Sequence, residues 1–599
     1  MLVRLIKYFK KYKFYAILCP ILMLVEVLCD VLMPYMMALI VNRVSDSVRA
    51  NTSFTNDDTR YIITIGAIMI LLALIALLCG AIAARLAAVA AQGGGTELRY
   101  DLFKQIQTFS FADLDKFSVP SLITRLTTDI TNIQMAGMMS LRMLIRAPFM
   151  LLFALILALN INSELALVFL VAIPILGIAL YFIITTAHPR FRKLQKKFDA
   201  LNASIQENLT GIRVVKSFVR EDYEKEKFKK SNDDFTNTAI GAVKVVIFTM
   251  PLMQLVIYGC IVAILWFGSG MVADTTITRI LTGAESASGM QAGDLISFIS
   301  YVTQILISLM MISFLFLMFV RSKASAERVF EVMDTESTIK DPENPVMEVK
   351  DGSIVFNNVS FRYEEGKGED TLSGINLSIA SGENIGIIGA TGSAKSTLVQ
   401  LIPRLYDVIQ GEVLVGGVNV KEYSLKSLRD AVAMVLQKNT LFSGTVRDNM
   451  KWGNEDATDE EIIEALKQAQ AWPFVSKLEK GLDHWVEQGG TNFSGGQKQR
   501  LCIARSLLKK PKVIILDDST SAVDMATDSK IRASFKENLK GITVIIIAQR
   551  VRSISHCDRI IVMDDGKINA IGTHEELLEN CEIYEDIYNS QQEGVLADA

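Results

Sequence analysis

The stretch "NIGIIGATGSAKSTLVQLI", Asn384 to Ile402, decides the reading of the C-terminal half of the chain. An apolar run leads into a loop of small residues, and a helix-forming segment follows. Backbone N–H groups at such a helix N-terminus bind anions. The loop is close to G-x-x-x-x-G-K-[ST]: Gly389, then Ala390, Thr391, Gly392 and Ser393, then Ala394, Lys395, Ser396 and Thr397. In that pattern Lys395 neutralises the β- and γ-phosphates of a nucleotide and Ser396 ligates Mg2+. Ala394 departs from the pattern, which has glycine there. Its methyl group is expected either to crowd the phosphates or to force a backbone angle that glycine adopts more readily.

A second stretch, "VIILDDSTSAVD", runs from Val513 to Asp524. Four apolar residues deliver two adjacent aspartates. Asp517, at a strand end, is placed to hold Mg2+ through its water shell. Between the two stretches lies "NFSGGQKQRLCIARSLL". Asn492 and Ser494 are expected to cap its helix, with Gly495 and Gly496 exposing N–H groups at the start.

The 599-residue chain as a whole is 50% hydrophobic, which implies several domains, one of them in a membrane. The net charge of −4 is small for this size and says little about partners. Seven scattered cysteines without C-x-x-C argue against a disulfide framework or a zinc site. His574 in "GTHEEL" has no second histidine four residues on. The basic, then apolar, N-terminus is too long in its apolar part for a signal peptide and reads as a first membrane helix.

Four runs without charge are long enough to span a bilayer: 61–84, 165–187, 245–273 and 295–320. Two more, 15–41 and 137–161, carry Glu26 with Asp30 and Arg142 with Arg146. Six spans place both termini on one side. The segment His188 to Lys244 holds thirteen Lys and Arg, and Arg4, Lys7, Lys10, Lys11 and Lys13 precede the first span, so that side is cytoplasmic. The inner connections look helical, and "SIQENLTGIRVVKSFVRED" in the second is expected to be a contact point. "DPENPVMEVKDG" reads as a linker. Alternating β-rich runs and amphipathic helices follow, the mark of an α/β domain. The expected fold is therefore a membrane α-helical domain of six helices with long cytoplasmic extensions (1–325), a linker (326–350), an α/β P-loop ATPase domain (351–590) and a tail (591–599).

Taken together, these motifs resemble the ABC transporters, in the form of an exporter-type half-transporter, over nearly the whole chain. The resemblance implies that Gly389 to Thr397 are the Walker A loop and Val513 to Asp517 Walker B. It makes Gln437 in "VLQKNTLFSGTVRDN" the Q-loop glutamine and Ser494, Gly495, Gly496 and Gln497 the signature, with Phe493 in place of Leu. Tyr363 in "VSFRY" becomes the aromatic stacked on adenine and Asp524 the D-loop aspartate. Singly, Tyr363 reads as a strand aromatic and Gln437 as a surface glutamine; order and spacing carry the assignment.

The family usually has glutamate after the Walker B aspartate, to polarise water, and histidine after the next strand. Here Asp518 and Gln549 stand there. Asp518 falls short by roughly 1.5 Å, one carbon–carbon bond, and a misplacement of that order costs on the order of a hundredfold in rate. The resemblance implies two such domains sandwiching ATP, each Walker A facing the partner's signature. An impaired Walker site beside an almost intact signature implies a heterodimer with a second ABC half-transporter, as in bacterial multidrug exporters with one degenerate site. The expected ligands are ATP and Mg2+; the expected partners are the bilayer and a small amphipathic substrate, with no nucleic acid. The expected location is the plasma or inner membrane. Alternatives are a nucleotide-gated regulator or channel, or a dedicated exporter of one peptide or lipid; an importer is disfavoured. Glu26 and Asp30 share a helix face and serve either cationic cargo or a proton, or else pair with Arg142 or Arg146 or sit at an interface. Met310, Met311, Phe314 and Phe316 either line an adaptable cavity or pack against protein and lipid.

Overall fold

The computed structural model describes residues 2–49, 55–282, 289–363, 368–518 and 523–597. The chain forms two compact units, Met1–Ile106 with Pro120–Thr335, and Gln107–Val119 with Glu336–Ala599.

In the first unit, six helices among the described residues are long and apolar enough to cross a membrane. Several far exceed the 20 or so residues that a bilayer requires: Asn56–Gln107 has 52 and Leu167–Thr210 has 44. Helical extensions beyond the spans are therefore present. The last helix, Ala292–Asp334, packs against Lys13–Arg49 and Ile130–Ile161. It runs nine residues past the expected boundary at 325, because nothing between Arg321 and Asp334 breaks it; the charges there are helix-compatible. Arg328 pairs with the buried Asp129, and Arg125 with Glu331 at 2.9 Å. Proline inside a helix leaves the carbonyl four residues back without a donor. Pro34 does this to Asp30, whose carbonyl accepts instead from Gln304 Nε2 at 3.3 Å.

Glu26 and Asp30 meet Arg146. The guanidinium donates to a Glu26 carboxylate oxygen and, at 2.9 Å, to Asp30 Oδ2. Gly80 lies beside Glu26: a Cβ there would stand 3.0 Å from Glu26 Oε2. Of the alternatives left open by the sequence, pairing with Arg146 is what the fold adopts.

The second unit begins with a short helix, Phe111–Phe117, capped by Ser110 and Asp113. Then come β1 (Ile354–Phe361), β2 (Leu372–Ile379), β3 (Asn384–Gly389), β4 (Gln410–Val415), β5 (Val418–Asn419), β6 (Val432–Val435), β7 (Gly444–Thr445), β8 (Trp485–Val486), β9 (Val513–Asp517), β10 (Thr543–Ile547), β11 (Arg559–Asp564) and β12 (Lys567–Gly572). An antiparallel sheet has the order β2-β1-β4-β5, and a six-stranded sheet the order β12-β11-β3-β10-β9-β6. In the larger sheet β11, β3, β10, β9 and β6 are parallel. Parallel strands covered on both faces read as continuous apolar runs, and β9 is buried at all five positions. The terminal helix Glu582–Ala597 continues through most of the segment expected as a tail.

Candidate nucleotide site

Ligands in open α/β sheets bind beyond the carboxyl ends of the strands. Three neighbouring parallel strands, β3, β10 and β9, end here in the residues of interest. Ile547 pairs with Ile387 on one side and Asp517 on the other, so the loop after β3 and the aspartates after β9 flank the residues after β10.

Gly389 closes β3 where a Cβ would come within 2.1 Å of the Met563 carbonyl oxygen, so glycine is required. The loop Ala390 to Ser393 leads to Ala394, which has φ 67° and ψ 23° and precedes the helix Lys395–Gln400. The left-handed backbone expected of this alanine is present. The methyl group packs against the apolar cluster beneath the loop. Lys395 folds over the loop: Nζ donates to the carbonyls of Gly389 (2.9 Å) and Ala390 (2.7 Å) and to Ser393 Oγ (3.2 Å). Burial lowers its pKa, and Asp517 and Asp518 oppose that.

Ser396 Oγ donates to Asp517 Oδ1 at 2.9 Å, joining the loop to the end of β9. Asp517 is 3% exposed, and burial raises its pKa, against the Ser396 hydrogen bond. A hydroxyl and a carboxylate are hard oxygen donors, and Mg2+ commonly takes one or two protein ligands and completes its shell with phosphate and water. The donor set fits that cation.

Asp518 has φ 48°, and its N–H donates to the Ile547 carbonyl at 3.1 Å. Its Oδ2 accepts from Gln549 Nε2 at 2.8 Å. The two positions singled out as departures are thus bonded to each other.

Tyr363 is half-exposed, and its hydroxyl shares a hydrogen bond of 2.9 Å with Thr397 Oγ1. Gln437 follows β6, exposed, and its side chain makes no hydrogen bond among the described residues. Ser494 caps the helix Gly495–Leu507: its side chain accepts from Gln497 N, and Gln497 Oε1 accepts from Ser494 N. Asn492 does not cap. It donates to the Trp485 carbonyl at 2.9 Å and accepts from Glu487 N, which braces the loop to β8; it lies too far ahead of the helix for its side chain to reach the first turn. Phe493 is buried against Phe474 and His484. The signature helix packs on β6, at the sheet edge beyond β9, and no hydrogen bond or ion pair joins Ser494–Gln497 to Gly389–Thr397 among the described residues. Asp524 caps the helix Met525–Asn538, and the Thr527 N–H lowers its pKa. Tyr406 was not singled out by the sequence; it contacts Tyr363 edge-on and donates to Asp115.

Two family descriptions match: "ABC transporter transmembrane region" over residues 16–310 and "ABC transporter" over residues 372–521. The Bacillus subtilis ABC transporter ATP-binding protein YfiB is 36% identical over 586 residues, 98% of each chain. The chain is an ABC transporter. An ATP-dependent lipid A-core flippase of Desulfotalea psychrophila is 32% identical over 500 residues, covering 83% of this chain and 84% of the flippase. A bacterial Atm1-family ABC exporter solved with ATP bound superposes with a TM-score of 0.76 at 22% identity, covering 96% of this chain and 98% of that one. The transporter therefore has an exporter fold, with membrane and ATPase parts on one chain.

Proposed function

We infer that this transporter is the weakly hydrolysing half of an unequal pair that exports amphipathic compounds. The observation that carries the reading is the Asp518–Gln549 hydrogen bond at 2.8 Å. A general base must reach the attacking water. Asp518 is a methylene short and is engaged by a neutral amide, which carries no charge toward a γ-phosphate.

In this reading Gly389 to Thr397 cradle the phosphates, Lys395 turns from its loop carbonyls to them, and Tyr363 stacks on adenine. Ser396, Asp517 and Gln437 hold Mg2+, which screens the phosphate charge. Ser494 to Gln497 act on the partner's nucleotide, with Asp524 at the junction. Both termini are cytoplasmic, because the basic residues gather in the inner connections. The flippase relative supports an amphipathic, lipid-like cargo.

The test is to load the full-length chain, without a partner, with radiolabelled MgATP, remove excess nucleotide, and identify what stays bound. Recovery mainly as ATP after many minutes is expected. Recovery as ADP, with steady release of phosphate, overturns the reading.

A further inference from the structure

The loop that carries Gln549 is gripped from behind by the helix Glu582–Ala597, which holds none of the nucleotide motifs. Gln591 on that helix accepts at Oε1 from the Val551 N–H, at 2.9 Å, and donates from Nε2 to the Gln549 carbonyl, at 2.8 Å. Arg550 between them is extended, with φ −107° and ψ 127°. An extended residue turns the carbonyl before it and the N–H after it to the same side. A primary amide carries both an acceptor and a donor, so one side chain pairs with both groups, where a carboxylate would only accept. The Val551 N–H also opens the 3₁₀ turn Val551–Ser553, whose first N–H groups have no partner within the turn. The helix sits on this turn by apolar packing as well. Tyr584, Ile587, Tyr588 and Gln591 are spaced to share one face. Tyr584 is fully buried in the same apolar cluster as Val551 and Ile554, and its hydroxyl shares a hydrogen bond of 2.7 Å with His574 Nδ1.

We propose that Gln591 is a positioning residue for the nucleotide site: it fixes the main chain at Gln549 and so holds that side chain against Asp518, facing the γ-phosphate. The strand β10 ends at Ile547, and the last sheet hydrogen bond beyond it is from the Ala548 N–H to the Ile387 carbonyl at 3.2 Å. From Gln549 to Val551 the main chain is held by Gln591 instead. The Gln549 side chain then starts from a fixed point, and its Nε2 reaches Asp518 Oδ2 at 2.8 Å. Hydrogen bonds weaken steeply with angle and distance, so a main chain free to swing at 549 would not keep that contact. Tyr584 anchors the helix without Gln591, so removing the amide frees the loop and leaves the helix in place.

The inference rests on the reading that Gln549 faces the γ-phosphate, and the experiment separates the two. The full-length transporter in lipid nanodiscs is titrated with a non-hydrolysable MgATP analogue and with MgADP, and amide exchange of residues 548–553 is followed by mass spectrometry. Gln591→Leu is expected to speed that exchange about tenfold. It should also lower affinity for the analogue about fivefold, the worth of one hydrogen bond, and leave MgADP affinity within about twofold, because ADP has no γ-phosphate. Gln549→Ala is expected to cause the same selective loss, and Gln591→Leu added to it no further loss, since the two act through one contact. Gln592→Leu, the neighbouring change on the same helix, should alter neither readout. Unchanged exchange in Gln591→Leu, an equal fall for both nucleotides, losses that add in the double variant, or the same effects from Gln592→Leu overturns the proposal. Selectivity that is unchanged in Gln549→Ala overturns the γ-phosphate reading instead, while exchange still decides whether Gln591 holds the loop.

Discussion

The double variant Asp518→Glu with Gln549→His tests the hydrolysis argument most directly. Glutamate adds one carbon–carbon bond of reach, about 1.5 Å. Recovering that distance is worth on the order of a hundredfold, or about 2.7 kcal/mol of barrier. A second gain comes from losing the hydrogen bond that Gln549 Nε2 donates to Asp518 Oδ2. That bond is exposed, so its net worth is about 1 kcal/mol, and releasing the carboxylate from it gives about fivefold. Together the two effects predict a gain of about five hundredfold, near 3.7 kcal/mol, in single-turnover hydrolysis. The chain purified by itself is the right material. Its signature residues Ser494 to Gln497 are present and Ser494 is well capped, so on the proposed reading a second copy supplies what the repaired site requires. The assay is release of radiolabelled phosphate under enzyme excess. Asp518→Glu alone is expected to recover most of the gain, because reach matters more than release of the hydrogen bond. A gain below about tenfold for the double variant, or a parent chain already as fast, would show that reach at position 518 does not limit hydrolysis.

Three further outcomes follow from the geometry. Ala394→Gly relieves a left-handed alanine, worth about 1–2 kcal/mol, but adds unfolded-state freedom costing about 0.5–1 kcal/mol; ATP affinity is expected to change less than threefold, and a tenfold rise in titrations with a fluorescent analogue would mean that the methyl group does crowd the phosphates. Arg146→Met strands Glu26 and Asp30, a loss of about 3–5 kcal/mol; it should appear as a large fall in Tm, reversed when Glu26→Gln and Asp30→Asn are added. Because burial raises the pKa of Asp517, its proton competes with the metal at a higher pH than for an ordinary carboxylate of about 3.9. Mn2+ affinity, followed by paramagnetic resonance with ATP bound, is therefore full above that raised pKa and falls as pH drops through it. A midpoint at or below about 4 would contradict the burial argument.

What could be read from the sequence was local. The phosphate loop is one strand, one turn and one helix start within nineteen residues, and its demand for a left-handed residue at 394 is a property of the motif. Pairings across distance were legible only as alternatives. Two arginines were available to Glu26 and Asp30, and only packing of the first membrane helix on the third selects Arg146. The Asp518–Gln549 bond spans 31 positions and depends on β9 and β10 being parallel neighbours in a fixed register, which no periodicity encodes. Asn492 was misread because Asn is a good cap in general, whereas here it serves the β8 turn. Tyr406 gave no signal at all. An aromatic after a helix is unremarkable until Tyr363 and Asp115, 43 positions before it in one case and 291 in the other, are brought to its two ends.

The unequal-pair reading turns on where one domain keeps its parts. The phosphate loop and both altered positions follow the ends of β3, β9 and β10, while the signature helix packs on β6, and no hydrogen bond or ion pair joins the phosphate loop to the signature among the described residues. On the proposed reading the signature serves the partner's loop. Changes at Asp518 and Gln549 therefore leave it untouched, and the chain can be poor at one site while completing another. Had the altered residues lain on the signature helix, both functions would have failed together and an asymmetric pair would gain nothing from this subunit. The physical separation allows a domain that holds its nucleotide to remain useful to one that cleaves. It also means that damaging Ser494 should slow the partner's site and leave nucleotide retention at this one intact.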